Sequence, residues 1–306
     1  MAPMAESTEG TENTDRWHRW LLDRRFGGDN AFRERELTGF LYPIRDTVLD
    51  KARLRSDDTL LDVGTGDGMI AFGALERLGP EGRVIFSDIS SDLLDHCRTA
   101  ATQEGLAARC EFVLASADAL DGIADASADV VTTRSVLIYV KDKAAAFAEF
   151  LRVLRPGGRV SLFEPINVLM SGRGPERFAG YDTRPVRAIA AKVIALYDSY
   201  QPPDTDPMTD FDERDLVRLA EQAGFAEVDL ELQVSVRNAK PPVPWDRFLA
   251  MAGNPKIPTM AEAMDQALTA AEITAFTAHL RPLVETGTGQ ERRALAYLTA
   301  TQHHSD

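Results

Sequence analysis

The pattern of hydrophobic and polar positions divides the chain into a helical start and a long alternation of strands and helices. From residue 16 to residue 55, aromatic and aliphatic residues recur at three- and four-residue spacing, which predicts helices. Gly27-Gly28-Asp29 interrupts this run, so we expect a helix on either side of it. From Asp57 onward, short apolar runs alternate with segments of helical periodicity. This alternation is typical of a parallel sheet with right-handed crossovers.

Seven short runs rich in apolar and β-branched residues predict the strands of this sheet. They fall at residues 59–63, 83–86, 110–114, 129–133, 159–163, 225–234 and 293–301. The segments between them predict helices at residues 70–78, 91–103, 143–154, 186–197 and 213–223. The run at 129–133 is almost entirely β-branched, which is typical of a central strand buried on both faces. The sequence therefore predicts an α/β protein.

The composition is that of an ordinary globular protein, and the net charge limits the classes of binding partner that we expect. The 306 residues are 44% hydrophobic and 27% charged, and the formal net charge is -14. That charge repels phosphate backbones and anionic lipid surfaces, so we expect neither a nucleic-acid partner nor a membrane partner. Residues 1–15 lack the features of a secretory signal, so we expect a cytoplasmic protein.

The cysteines give no pattern for a metal site. Cys97 and Cys110 lie outside any CxxC pair or His-flanked spacing. We therefore interpret both as reduced structural residues, and we expect no bound metal ion.

The most informative motif joins the first strand to the helix that follows it. It reads Leu61-Asp62-Val63-Gly64-Thr65-Gly66-Asp67-Gly68. Its glycines let the backbone turn sharply and approach a ligand closely. A dinucleotide-binding loop would carry Gly or Ala where this chain has Met69. Asp62 and Asp67 would repel a pyrophosphate, whereas they would attract a ligand that carries an ammonium and a sulfonium group.

Two further aspartates follow the next two strands. Asp88 comes about 20 residues after the glycine loop, where a carboxylate can accept hydrogen bonds from both ribose hydroxyls. Asp118, flanked by Ala117 and Ala119, follows the third strand and can accept a hydrogen bond from an adenine amino group. Taken alone, each aspartate is explained equally well as a helix cap or a solvated loop residue. Their positions at successive strand ends, where open parallel sheets bind ligands, favour a binding site.

As a set, these motifs resemble those of class I S-adenosylmethionine-dependent methyltransferases of the small-molecule, bacterial type. The resembling segments are residues 61–68, 86–88, 116–119, 129–131 and 154–159. The resemblance implies a doubly wound, Rossmann-like sheet of seven strands with the last strand antiparallel, and S-adenosylmethionine as the cofactor. It also implies that Asp62 and the loop glycines hold the methionine end, Asp88 the ribose and Asp118 the adenine. The predicted cofactor-binding residues are Asp62, Gly64, Thr65, Gly66, Gly68, Asp88, Ile89, Ala117, Asp118, Ala119 and Arg134.

Candidates for contact with a methyl acceptor lie after the fourth and fifth strands. Glu164 is the first, because a carboxylate there can hold a cationic amine or take a proton from the acceptor. Arg134 and Tyr139 are the other two candidate catalytic residues. Structural alternatives remain open: Glu164 can pair with Arg134 or cap a turn before Pro165, and Tyr139 can fill the core.

We interpret the chain as a methyltransferase for a small-molecule acceptor, with nitrogen, oxygen or carbon as the accepting atom. Biosynthesis of a specialised metabolite is the expected setting, and a monomer or homodimer the expected form. The alternative is a non-catalytic S-adenosylmethionine-binding protein with a regulatory or scaffold role.

The expected organisation follows from these assignments. It comprises a disordered tail at residues 1–15, a helical lid at 16–55, a cofactor-binding core at 56–164, an acceptor-side insertion at 165–212, and the end of the sheet at 213–306 with a second lid insertion at about 238–290.

Overall fold

A seven-stranded sheet forms the centre of the structure, a computed structural model that describes residues 16–26, 29–170 and 174–303. The strands are β1 Thr59–Val63, β2 Arg83–Asp88, β3 Cys110–Leu114, β4 Ala128–Arg134, β5 Leu154–Pro165, β6 Arg177–Phe178, β7 Tyr181–Asp182, β8 Glu227–Arg237 and β9 Glu291–Thr301. The sheet order is β3-β2-β1-β4-β5-β9-β8, and β6 pairs with β7 in a separate hairpin. β9 runs antiparallel to both of its neighbours, whereas β1 to β5 are parallel to one another. The predicted doubly wound, mostly parallel sheet with an antiparallel last strand is confirmed.

Helices flank this sheet and fill the segments around it. They are α1 Asn30–Glu36, α2 Tyr42–Ala52, α3 Met69–Arg77, α4 Ser91–Gln103, α5 Lys143–Val153, α6 Asn167–Met170, α7 Arg187–Tyr200, α8 Glu213–Ala223, α9 Trp245–Ala250, α10 Met260–Ala267 and α11 Ala270–Thr286. π-helical turns span Arg19–Arg24 and Leu37–Leu41. A 3₁₀ turn at Leu137–Tyr139 follows β4.

Two apolar cores lie on opposite faces of the sheet. Successive residues of a strand point to opposite faces, so Leu60 belongs to one core and Leu61 to the other. Helices α2, α3 and α4 cover the first face, and α5 and α8 cover the second. The central strands β1 and β4 are therefore buried on both sides, as the β-branched run in β4 predicted.

The N-terminal segment, expected to form one lid at residues 16–55, divides into two parts. α2 packs into the core of the sheet through Val48, so it belongs to the body of the fold. Residues 16–41 instead reach the glycine loop, where Phe26 clusters with Met69, the first residue of α3.

The two inserted segments pack together into a single cap. We define the cap as β6, β7, α7, α9, α10 and α11. Its own apolar core draws on both insertions and contains Tyr181, Ala190, Val193, Trp245, Met260, Met264, Phe276, Leu280 and Val284. An ion pair of 2.6 Å between Lys192 and Glu272 also joins α7 to α11. Segments that lie far apart in the sequence therefore build one unit.

β5 begins earlier than the sequence pattern predicted. It starts at Leu154, directly after α5, rather than at residue 159. Leu154 pairs with Ala128 of β4, and the register then shifts before Val130 pairs with Arg159. Because Pro-Gly-Gly triplets favour turns, the pattern predicted a break there, but the strand accommodates the triplet as an irregularity in its pairing.

Two predictions concern residues outside the described ranges, namely the disordered tail at 1–15 and the helix break at Gly27-Gly28. Within the described ranges, no helix combines the length and the apolar character needed to cross a membrane.

Truncation of a buried cap residue tests whether the cap is closely packed. Phe276 is fully buried in the cap core, so Phe276→Ala should lower the free energy of unfolding by about 3–5 kcal/mol through lost burial and a residual cavity. Urea unfolding followed by tryptophan fluorescence measures the change. In the control Val234→Ala, the side chain is 56% exposed, and the change should stay within about 0.5 kcal/mol. A Phe276→Ala variant as stable as the parent would contradict a closely packed cap.

Candidate active site

The glycine loop lies between β1 and α3, at the carboxyl end of the central strand. Gly64 and Gly66 have φ angles of +65° and +59°, which residues with side chains rarely adopt. A Cβ on Gly64 would also lie 2.4 Å from Cγ2 of Val136, so the neighbouring chain leaves no room for a side chain. The backbone bend and the close contact with Val136 therefore both require glycine in this loop.

Asp62, in β1, is buried beneath this loop and ties it to β4. Its carboxylate accepts hydrogen bonds from Oγ1 of Thr65 at 2.8 Å and from Oγ1 of Thr132 at 2.9 Å. Burial raises the pKa of Asp62 to about 7, although both hydroxyls and the charge of Arg134 oppose the shift. Asp62 fixes the loop from below, and its direct contact with a ligand stays a prediction.

Asp88, at the end of β2, fixes the loop from a second side. Its carboxylate accepts hydrogen bonds from the backbone N–H groups of Gly66 and Ser90, each at 2.9 Å. Burial raises the pKa of Asp88, and these N–H donors oppose the rise. Each carboxylate oxygen keeps a further lone pair that a ligand hydroxyl can use. The next residue, Ile89, is 47% exposed and offers an apolar surface beside the carboxylate.

The end of β3 contributes a tight turn at residues 116–119. The N–H of Ala119 donates to the carbonyl of Ser116 at 3.1 Å, and the Ser116 hydroxyl donates to the Asp118 carboxylate. Ala117 is buried, whereas Asp118 is half-buried. Because β1, β2 and β3 are neighbours in the sheet, the structure brings the three predicted carboxylates to one edge.

A family model described as a methyltransferase domain matches residues 61–162. This span begins at the glycine loop and includes Asp88 and Asp118. The chain carries a class I methyltransferase domain. The resemblance found in the sequence motifs is thereby confirmed, and S-adenosylmethionine is the cofactor of that class.

Curated relatives match the same part of this methyltransferase domain. A protein of Francisella tularensis subsp. novicida, named ubiquinone/menaquinone biosynthesis C-methyltransferase UbiE, is 35% identical over 127 residues, which are 40% of this chain and 50% of that protein. A protein of the same name from Hahella chejuensis is 35% identical over 127 residues, or 40% of this chain and 51% of that protein. The chain thus spans about half the length of the curated relatives that it matches.

Solved structures share the fold over most of the chain. The YcgJ protein of Bacillus subtilis aligns with a TM-score of 0.52 and 15% identity, covering 86% of this chain and 100% of that one. Phosphoethanolamine N-methyltransferase 2 of Haemonchus contortus, in complex with S-adenosyl-L-methionine, aligns with a TM-score of 0.50 and 16% identity, covering 94% of this chain and 56% of that one. At these identities the likeness establishes the fold.

The first helical segment lies over the glycine loop of the methyltransferase domain. Cδ2 of Leu21 is 3.1 Å from the position that a Cβ on the middle loop glycine would take. Trp17 meets Tyr139 edge-on, with ring centres 4.7 Å apart. Nε1 of Trp20 donates a hydrogen bond to the carbonyl of Ala252 at 3.1 Å. The segment therefore bridges the sheet edge and the chain that follows α9.

Three charged side chains near the loop keep unused hydrogen-bonding capacity. Oδ1 of Asp67 is buried and accepts no hydrogen bond, and in the described part of the chain the guanidinium groups of Arg25 and Arg134 donate none. The Arg25 guanidinium lies 5.4 Å from the ring centre of Trp20 and 5.3 Å from that of Phe26. Burial lowers the pKa of Arg25 to about 10; the charge of Arg134 adds to this shift, and that of Asp67 opposes it. Two cations and an anion therefore lie close enough near the loop to influence one another's charge.

Glu164 lies inside the fold, and its contact with an acceptor stays a prediction. The side chain is fully buried, and its carboxylate accepts hydrogen bonds from the N–H groups of Val136 and Leu137 at 2.9 Å and of Ile138 at 3.3 Å. Burial raises the pKa of Glu164 to about 7, and these three donors oppose the rise. The carboxylate caps the 3₁₀ turn after β4, which differs from both structural alternatives, the pair with Arg134 and the cap before Pro165.

Tyr139 lies in that same turn, between the N-terminal segment and the chain near the cap. Its ring has a cationic contact, because Nζ of Lys256 lies 5.5 Å from the ring centre. It also has the aromatic edge contact with Trp17. Burial raises the pKa of Tyr139 above its usual range, so the phenol is neutral near pH 7. It can donate a hydrogen bond but is a poor base. Tyr139 and Arg134 stay the predicted contacts to an acceptor.

A cavity of about 600 Å³ lies between the cap and the carboxyl edge of the sheet. Asn167 and Met170 of α6, just after β5, line one side of it, and Asn254 lines another. The backbone N–H of Lys256 donates to Oδ1 of Asn254 at 2.8 Å, while its ammonium lies over Tyr139, so the cavity is close to that ring. Among the described residues, none of the predicted cofactor-binding residues lines it.

Two residues at the glycine loop were not predicted as part of the site. Arg25 lies between Trp20 and Phe26 in the sequence, and this aromatic setting is the signal from which a cation in contact with aromatic rings could have been predicted. Cys97 donates a hydrogen bond from Sγ to the carbonyl of Gly66 at 3.4 Å, and nothing in its own neighbourhood predicts that contact. Both cysteines are free thiols, as expected. Across residues 16–26, 29–170 and 174–303, no group of His, Cys, Asp and Glu is placed to hold a metal ion.

The pH dependence of stability tests the role of Glu164. Its pKa is raised from 4.5 to about 7 on folding, so its contribution to stability is full below about pH 4.5 and is lost as the pH rises through about 7. The difference in unfolding free energy between the parent and Glu164→Gln should therefore fall by about 2 kcal/mol between pH 5 and pH 8. Urea unfolding at both pH values measures this difference. The control is Asp229→Asn, an exposed acid of β8, whose difference from the parent should stay constant. A constant difference for Glu164→Gln would contradict the assignment of Glu164 as a buried acid that holds the turn after β4.

Proposed function

We propose that the protein is an S-adenosylmethionine-dependent methyltransferase that acts on a small-molecule acceptor. The observation that carries this proposal is the set of charges near the glycine loop, namely the buried Oδ1 of Asp67 with Arg25 and Arg134. The methionine end of S-adenosylmethionine carries an ammonium and a carboxylate, and this pair matches one anion and two cations. A pyrophosphate would instead place its negative charges beside Asp62 and Asp67.

The remaining site residues suit the adenosine end of the same cofactor. Asp88 keeps lone pairs for ribose hydroxyls, and the exposed face of Ile89 suits a flat ring. Asp118 follows the neighbouring strand β3, and we propose that it accepts a hydrogen bond from the adenine amino group. The positive φ angles of Gly64 and Gly66 give the sharp bend of the loop beside these groups.

Methyl transfer asks little chemistry of the protein itself. The cofactor, when bound, would supply a methyl group on a cationic sulfur, and loss of this methyl group to a lone pair or carbanion of the acceptor would leave a neutral thioether. Any proton that the acceptor must lose would pass to a base or to water. The residues must align the acceptor and exclude water. Tyr139 and Arg134 are the proposed acceptor contacts, and the segment carrying Trp17 and Trp20 covers the site.

The finer parts of the proposal concern the acceptor and the setting. The names of the UbiE relatives support carbon as the accepting atom, with nitrogen and oxygen as the alternatives. The net charge of -14 supports a small-molecule acceptor rather than a nucleic acid or a membrane surface. We propose a cytoplasmic monomer or homodimer that works in the biosynthesis of a specialised metabolite.

Removal of the Asp88 charge tests the adenosine half of the site. Asp88→Asn should weaken binding of both S-adenosylhomocysteine and 5′-methylthioadenosine at least tenfold, since a charge-assisted hydrogen bond contributes about 1.5–3 kcal/mol. Calorimetric titration measures both affinities. The control Asp95→Asn, on the exposed side of α4, should leave them unchanged. Because Asp88 also holds the glycine loop, thermal unfolding of the variant accompanies the titrations, and unchanged affinity would refute the site.

Removal of the Arg25 charge tests the methionine half separately. Arg25→Met should weaken S-adenosylhomocysteine about tenfold or more, because a charge-assisted contact of about 1.5–3 kcal/mol to its carboxylate is lost. Binding of 5′-methylthioadenosine, which lacks the amino-acid end, should change less than about twofold. Arg24→Met, an exposed neighbour on the same helical segment, is the matched control. Equal weakening of both ligands would show that Arg25 acts on the fold rather than on the carboxylate.

A further inference from the structure

The cavity beneath the cap has two chemically different ends. Its volume of about 600 Å³ lies in the range of small-molecule sites. One part of its lining includes Met208 and Asn254, and Asn254 is hydrogen-bonded to Lys256, whose ammonium lies over Tyr139. Another part is the β6–β7 hairpin and the start of β9, against which α6 with Asn167 also packs.

The walls between these ends are apolar and adaptable. Phe178 and Tyr197 stack with their ring centres 6.2 Å apart and their planes 16° apart. Four thioethers also line the cavity, from Met170, Met208, Met251 and Met260. Methionine side chains fill irregular space and pack favourably against aromatic rings. Such walls suit a ligand with a flat apolar body.

The end at the hairpin is cationic. Arg177, Lys240, Arg292 and Arg293 line it, against Glu291 as the acidic residue of that end. Glu291 already accepts a 2.8 Å hydrogen bond from Arg293, so its charge is engaged. The Arg293 guanidinium pairs with Glu291 and lies over the ring of Phe40, so Arg177, Lys240 and Arg292 are the remaining cations of this end. Their charge is opposite in sign to the net charge of -14 of the whole protein.

Two of these cations share one turn and keep free donors. Nζ of Lys240 donates to the carbonyl of Ala179 at 2.7 Å, and Nη1 of Arg177 donates to the carbonyl of Gly180 at 3.3 Å. Those carbonyls belong to adjacent residues of the hairpin turn, so the two cationic groups lie close together. An ammonium has three donors and a guanidinium five, so both retain donors for an anionic group. Burial also lowers the pKa of Lys240, and an anion beside it would offset that cost.

Asp206, which also lines the cavity, already uses its carboxylate in hydrogen bonds within the protein. The Asp206 carboxylate accepts hydrogen bonds from Nε2 of Gln201 at 2.9 Å and from the N–H of Met208 at 2.7 Å. Nδ2 of Asn254 in turn donates to Oε1 of Gln201 at 2.8 Å, so this buried network is closed on itself. Asp198 of α7 is the third acid that lines the cavity, besides Asp206 and Glu291. The candidate anion site is therefore the hairpin turn, where the donors of Lys240 and Arg177 lie.

We propose that this cavity binds the methyl acceptor, and that the acceptor is an amphipathic carboxylate. Its flat apolar body lies between the aromatic and methionine walls, its carboxylate meets Lys240 and Arg177, and its other end points to the sheet edge near Tyr139. This assignment rests on the proposed methyltransferase function, because it names the substrate class of the same site.

A matched pair of fluorescent probes tests the assignment on the full chain with S-adenosylhomocysteine present. 1-Pyrenebutyrate carries an aromatic body and a carboxylate, and 1-pyrenebutanol replaces the carboxylate by a neutral hydroxyl. The protein should bind the carboxylate at least tenfold more tightly, as measured by fluorescence anisotropy. In the double variant Arg177→Gln/Lys240→Gln this preference should fall to about twofold or less, with the affinity for the alcohol unchanged. Lys192→Gln, an exposed cation of the cap, is the charge control and should keep the full preference.

A second variant tests the location without altering charge. Ile194 of α7 lines the cavity, so Ile194→Trp should fill part of it and weaken both probes at least fivefold. Equal binding of the two probes by the parent, no binding of either, or unchanged affinity in Ile194→Trp would each overturn the assignment.

Calorimetry with S-adenosylhomocysteine on the same samples separates failure of this assignment from failure of the proposed function. If the cofactor product binds and the carboxylate is not preferred, the acceptor class alone is wrong; if the cofactor product does not bind, the methyltransferase proposal fails.

Discussion

The burial of the Asp62 carboxylate beneath the glycine loop is the constraint on which the site depends. A buried carboxylate is tolerated only when its hydrogen bonds are made, so Thr65 and Thr132 must stay in place. These two contacts join the loop after β1 to the neighbouring strand β4. Asp88 adds a third tie through the N–H of Gly66. The bent backbone of the loop is thus held from below and from the side.

Glu164 applies the same principle one strand further along. Its buried carboxylate gathers three backbone N–H groups of the turn that carries Tyr139. The buried carboxylate therefore fixes the main chain at the ends of β4 and β5. Around the glycine loop the opposite holds, because Asp67, Arg25 and Arg134 keep capacity unused. The contrast separates groups that hold the fold from groups left for a ligand.

The cap shows how distant segments combine into a binding space. The insertions after β5 and β8 share one apolar core and enclose a cavity against the sheet edge. A hydrogen bond from Trp20 to Ala252, between residues 232 positions apart, connects the N-terminal segment to the chain after α9. The N-terminal segment and the chain after α9 therefore both reach the turn that carries Tyr139.

The sequence by itself determined the features that depend on local chemistry. Apolar runs and helical periodicity predicted the strands and helices of the sheet, because each pattern depends on a few neighbouring residues. The glycines and aspartates at the strand ends likewise predicted one edge where Asp62, Asp88 and Asp118 come together. Tertiary structure alone decided the rest. Glu164 lies 27 positions from Leu137, so its capping role depended on how β5 pairs with β4. The partition of residues 16–55, the burial of Arg25 and the single cap likewise depend on contacts between distant segments, which local patterns do not encode.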